Sequence, residues 1–122
     1  MKYVWMALRV IGVAMLLFLA FTGIKGGIDQ LSAMHTTPQR IQTWMQFAMG
    51  ITSALALIAV FRAVPWRRAA YGAFVLSCTL AGGLATYAWG EQGGWPAVAA
   101  TVGSLLVSAL IVWLAHPRGQ PL

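Results

Sequence analysis

The sequence predicts an all-α integral membrane protein, a single bundle of four transmembrane helices spanning residues 1–122. Three observations predict it. Of the 122 residues 60% are hydrophobic and 8% charged, the composition of a chain solvated mostly by lipid. The apolar residues fall into four runs, each long enough to cross a hydrocarbon core of about 30 Å as a helix of roughly 20 residues. The six Trp and three Tyr residues lie near the ends of those runs, where indole and phenol rings are favoured at the membrane interface.

The first run covers residues 4–24. The opening "MKYVWMALRVIGVAMLLFLAFTG" joins a basic start to an apolar stretch as a signal peptide does, but no small-x-small cleavage site follows cleanly, so it reads as a retained helix. Arg9 sits about two turns into this run, within snorkelling reach of the headgroups. The second run, 41–61, is preceded by "TTPQR", in which Thr36 or Thr37 serves as N-cap with Pro38 in the first turn. Pro65 closes it. The third run is 69–89, and the fourth, 97–115, is opened by Pro96 and closed by Pro117.

Four spans put the N-terminus, the loop "RAVPWRR" and the C-terminus on one side. That side carries Lys2, Arg9, Arg62, Arg67, Arg68 and Arg118 and no acid, whereas the other carries Lys25 and Arg40 against Asp29 and Glu91. Basic residues in short loops mark the cytoplasmic face. The expectation is therefore a multi-pass protein of the cell membrane, an inner membrane in a two-membrane cell, with both termini cytoplasmic. Its one long polar interval, "GIKGGIDQLSAMHTTPQR" at 23–40, reads as a folded connector. The glycines allow a sharp change of direction, and Ile28, Leu31 and Met34, three apart, favour about two turns of interfacial helix with Asp29 turned to water.

Each half of the chain is a hairpin. The closing helices align as "GITSALALIAVFRAVP" and "VGSLLVSALIVWLAHP" at an offset of 52, with Val60 and Val112, Ala63 and Ala115, and Pro65 and Pro117 identical. One reading is a parallel repeat about an axis near the membrane normal; the other is shared hydrophobic composition alone. The first helix, "RVIGVAMLLFLAFTGIKGG", with its early Arg, its glycines and a Lys just past the apolar run, resembles that of the DoxX-like four-helix membrane proteins. The order of four spans is similar over nearly the whole chain. That resemblance implies an accessory membrane protein, sometimes linked to quinone or sulfur metabolism, and it carries no catalytic motif.

No Asp, Glu, Lys or His falls well inside a span, which lowers the expectation of a proton pump or ion-coupled transporter. Gln46 is the deepest strongly polar side chain, one turn from Gln42 and one from Gly50 along one face. It reads either as a ligand lining or as a hydrogen bond between packed helices. Small and hydroxyl residues recur at helical spacing as Thr79, Gly83 and Thr86 and as Thr101, Ser104 and Ser108. Such faces let helix backbones approach closely and exchange hydrogen bonds. Cys78, the only cysteine, reads as a small apolar filler and excludes an internal disulfide.

His35 and His116 fall on opposite sides of the membrane, so no paired metal or haem site is expected. No cofactor is evident. Dispersed basic residues give no nucleic-acid surface. The expected partners are the lipid bilayer and either other membrane subunits or further copies of the chain. The leading role is an accessory or structural subunit of a larger membrane assembly. The alternatives are a small oligomeric transporter or channel, and a quinone-binding redox subunit. That last role would rest on the outer polar residues Lys25, Asp29, His35, Arg40 and Glu91; Gln46 is a separate ligand-binding candidate.

Overall fold

The computed structural model describes residues 2–33, 35–62, 64–89 and 95–117. Among these are four α-helices and no strand: α1 (Lys2–Leu31), α2 (Thr37–Phe61), α3 (Arg67–Trp89) and α4 (Trp95–Ala115). All four are long and apolar enough to cross a membrane. They form a ring in chain order, α1 on α2, α2 on α3 and α3 on α4, with α4 returning more loosely to α1. Met34, Glu91 and Arg118 lie outside the described residues.

Local signals explain where α2 begins and ends. Thr36 is its N-cap. The Thr36 hydroxyl accepts from the Gln39 backbone N–H at 3.3 Å while the Gln39 side chain accepts from the Thr36 N–H at 3.2 Å, a reciprocal pair that satisfies two otherwise orphaned donors. Pro38 occupies the first turn, where its missing N–H costs nothing. The helix stops at Arg62, which turns to extended backbone (φ −133°, ψ 135°) ahead of Pro65. At the far end of the chain Pro117 follows the last turn of α4 in the same way.

In α1 the structure corrects the expectation of a bend. The helix runs unbroken for 30 residues through Gly26 and Gly27, so no separate interfacial helix starts at Ile28. The glycines serve close packing. A Cβ on Gly27 would lie 2.9 Å from the Phe47 ring, and one on Gly26 would lie 3.1 Å from Gln46 Nε2. At 1.5 Å per residue α1 is about 45 Å long, more than a hydrocarbon core of about 30 Å requires, so its last turns have the length to emerge from it. There Thr43 Oγ1 donates to Gln30 Oε1 at 3.2 Å, tying the end of α1 to α2.

Glycines also set the main crossings. An added Cβ on Gly23 would lie 2.5 Å from the Gly50 Cα, and one on Gly12 would lie 2.5 Å from the Ala115 backbone nitrogen. α1 therefore touches α2 and α4 backbone to backbone, the arrangement that dispersion favours when lipid gives no hydrophobic drive between helices. Gly82 and Gly83 of α3 similarly face Ser104 and Thr101 of α4. Between the helices the core is built of Leu16, Ala56, Ala59, Val60, Phe74 and Ala115, all at most 1% exposed.

The hydroxyls expected to bond between helices mostly do not. Thr79, Thr86, Thr101 and Ser108 donate instead to the carbonyl four residues earlier in their own helix, at 2.7, 3.4, 2.7 and 2.7 Å. A carbonyl one turn back is always within reach of a helical Ser or Thr, which makes that bond the default in an apolar surround. Hydroxyls of α2 do cross between helices: besides Thr43, Ser53 Oγ donates to the Leu16 carbonyl of α1 at 2.6 Å.

Two arginines close the end of the bundle where α2 and α4 finish. Arg67, 4% exposed, donates Nε to the Ala59 carbonyl at 2.8 Å and Nη2 to the Arg62 carbonyl at 3.2 Å. Arg9 donates Nε to the Ala115 carbonyl at 3.3 Å and lies 5.5 Å from the Phe61 ring centre. Each places positive charge on the carbonyl end of a helix, where the backbone dipoles leave about half a negative charge. The expectation of Arg9 as a headgroup anchor is thus modified: its Nε is held by a helix end.

Candidate functional site

Four polar residues of the outer interval are exposed near the ends of α1 and α2. Lys25 and Asp29 are exposed on the last turns of α1, His35 is exposed in the connector, and Arg40 is exposed in the first turn of α2. None of them lines the cleft that Gln46 borders. Among the described residues no group of three or more His, Cys, Asp or Glu side chains is placed to hold a metal ion.

Gln46 is positioned differently. It lines a cleft of about 210 Å³ to which all four helices contribute: Leu19 from α1, Met49 from α2, Cys78 and Gly82 from α3, and Ser104 and Ser108 from α4. The origin of this space is the looseness of the α1–α4 seam. Those two helices meet where Trp5 stacks edge-on against Trp113 at 6.1 Å, Arg9 reaches Ala115, and Gly12 abuts Ala115. Further along, α1 is held by α2 through Gly23 and Gly50, and α4 by α3 through Ser104 and Gly82. The cleft lies between the two pairs.

Its floor is a short amide chain. Gln42, fully buried, sends Nε2 toward Gln46 Oε1 at 3.3 Å and toward the Ala81 carbonyl of α3 at 3.5 Å. Gln46 in turn points Nε2 at the Thr22 carbonyl of α1 at 3.5 Å. The separations of 3.5 Å are at the weak limit of hydrogen bonding. A carboxamide has two donor hydrogens and two acceptor lone pairs, so Gln46, with one of each engaged, retains one of each. Ser104 and Ser108 line the cleft as well: Ser108 Oγ donates to the Ser104 carbonyl, and the Ser104 hydroxyl, packed beside Gly82, has no hydrogen-bond partner among the described residues. The site thus offers an amide and a hydroxyl in an otherwise apolar wall.

The sequence offered Gln46 either as a ligand lining or as a hydrogen bond between helices and assigned Ser104 and Ser108 to packing; all three border the cleft. Cys78 also borders the cleft rather than merely filling the core. Gln42 was legible as the partner one turn away. No protein family, curated protein or solved structure matches this chain, so the site is interpreted from its own geometry.

Proposed function

We propose that this chain is an accessory subunit of the cell membrane, crossing it four times with both termini cytoplasmic, and that its cleft receives the polar head of a lipid-soluble molecule of the quinone class. The observation that carries the reading is that Gln46 and Ser104 both line a cleft walled by all four helices. A carbonyl or hydroxyl on a flat ring would accept or donate to these groups, and the apolar side chains around them would cover its faces. At about 210 Å³ the space is smaller than a typical whole-ligand pocket of roughly 300–1,000 Å³. It suits a head alone, with the tail leaving between α1 and α4 toward lipid.

Orientation rests on charge, because Arg9, Arg62, Arg67 and Arg68 share the end of the bundle where α2 and α4 finish. The arginine caps also favour reading the two hairpins as a parallel repeat. Arg9 of α1 caps α4 and Arg67 of α3 caps α2, the relation a two-fold axis between the hairpins would generate. On that reading the α2–α3 seam is closed and its counterpart between α4 and α1 has opened into the site.

Decylubiquinone added to detergent-solubilised protein tests the cleft. At about 100 times its dissociation constant it should stabilise the fold by about 2.7 kcal/mol, read as a rise in the thermal midpoint. Gln46→Leu should remove the rise. A quinone response that persists unchanged in both Gln46→Leu and Ser104→Val would place binding elsewhere.

A further inference from the structure

A second concave surface lies on the outside of the bundle, at the end closed by the two arginines. Val10, Val13, Ala14 and Leu17 form its floor along one stripe of α1, Phe61 of α2 forms a wall, and Arg9 stands at its head, around a space of about 380 Å³. The stripe from Val10 to Leu17 runs parallel to the helix axis, the direction an acyl chain takes in a bilayer. Val10, Leu17 and Phe61 are each about 60% exposed, so no described residue covers the groove.

The chemistry of Arg9 selects the occupant. Its Nε is engaged by the Ala115 carbonyl and its guanidinium is held 5.5 Å from the Phe61 ring centre, so the group is oriented rather than free to sweep the interface. Among the described residues its two terminal amino groups have no hydrogen-bond partner. The described residues at this end include Arg62, Arg67 and Arg68 and no carboxylate, and among them Arg9 meets the partial charge of the α4 terminus and the Phe61 ring. A planar fork of two N–H groups beside an apolar channel matches a phosphate oxygen pair attached to an acyl chain.

We infer that the α1–Phe61 groove binds one anionic phospholipid, with an acyl chain along Val10, Val13, Ala14 and Leu17 and the phosphate on Arg9. This site is distinct from the cleft at Gln46 and does not depend on what that cleft holds. An anionic headgroup beside basic residues is favoured by about five-fold per arginine over a neutral one. A zwitterionic lipid offers the same chain and phosphate without the net charge, so the preference between the two measures the role of Arg9.

The test is native mass spectrometry of the full chain in dodecyl maltoside, titrated with dioleoylphosphatidylglycerol or dioleoylphosphatidylcholine. The expected result is one tightly retained phosphatidylglycerol, at about five-fold higher occupancy than phosphatidylcholine at equal concentration. Arg9→Gln should bring the two lipids to equal occupancy, and Ala14→Phe, which fills the groove from an exposed position, should lower both while leaving the thermal midpoint in place. Arg68→Gln, an exposed arginine that does not line the groove, should leave the preference intact, as should Gln46→Leu. Equal binding of the two lipids by the unaltered chain would overturn the assignment. So would retention that Ala14→Phe does not change, or a dimer in place of a lipid adduct that Ala14→Phe dissociates.

Discussion

At Gly50 a single hydrogen atom decides whether α1 and α2 can meet. A Cβ placed there would lie 2.9 Å from the Ile24 backbone nitrogen and 3.1 Å from the Ala20 carbonyl oxygen, and backbone has no rotamer with which to give way. Gly50→Leu should therefore destabilise the detergent-solubilised protein by about 3 kcal/mol, at the upper end for overpacking, seen as a fall in its thermal midpoint. Arg67 presents a similar dependence on one residue through hydrogen bonding. Arg67→Met would leave the Ala59 and Arg62 carbonyls without their donor, at a cost of about 2–4 kcal/mol for charge-assisted bonds at a buried position. Arg68→Met, on the neighbouring exposed residue, should change the midpoint little, and equal effects of the two substitutions would contradict the capping role. Nothing in "WRR" distinguishes these arginines in the sequence. Helix phase turns one toward α2 and the other outward, and that phase is set by packing.

Among the elements, α1 shows how a glycine pair is ambiguous in sequence. "KGGID" after an apolar run is compatible with a turn, because glycine tolerates almost any backbone conformation, and equally with a helix that must approach another closely. The choice depends on whether a neighbour stands opposite, and here Phe47 and Gln46 do. This gives a test with opposite signs at two helical glycines. Gly27→Ala should lower the thermal midpoint by pushing on the Phe47 ring. Gly72→Ala, in α3 with nothing within 4 Å of an added Cβ, should raise stability by about 0.5–1 kcal/mol through helix propensity. A midpoint that rises for both would mean that Gly27 is not in close contact. The cap of α2 was more legible than the course of α1, because Thr36, Pro38 and Gln39 act within one turn and need no partner from elsewhere.

For the whole molecule, the distribution of basic residues leads to a prediction about sidedness. Reporter fusions after Arg68 and after Leu122 should both register cytoplasm; an opposite signal at both would reverse the orientation, and with it the face on which Arg9 and its groove lie, and an opposite signal at one alone would contradict four spans. The four-helix architecture, its approximate span limits and the grouping of arginines at one end were determined by the sequence alone. Each of these follows from hydropathy, punctuation and charge read along the chain, and lipid as solvent makes those local properties decisive. The tertiary structure alone decided that the α1–α4 seam is the loose one, that Gln46 and Ser104 line one common cleft, that Lys25, Asp29, His35 and Arg40 lie exposed outside it, and which arginine is buried. These depend on the mutual rotation and tilt of helices that are apolar nearly all round. A helix of that kind carries no stripe from which its inward face can be read, so the facing is fixed only when backbones meet at Gly12, Gly23, Gly50 and Gly82.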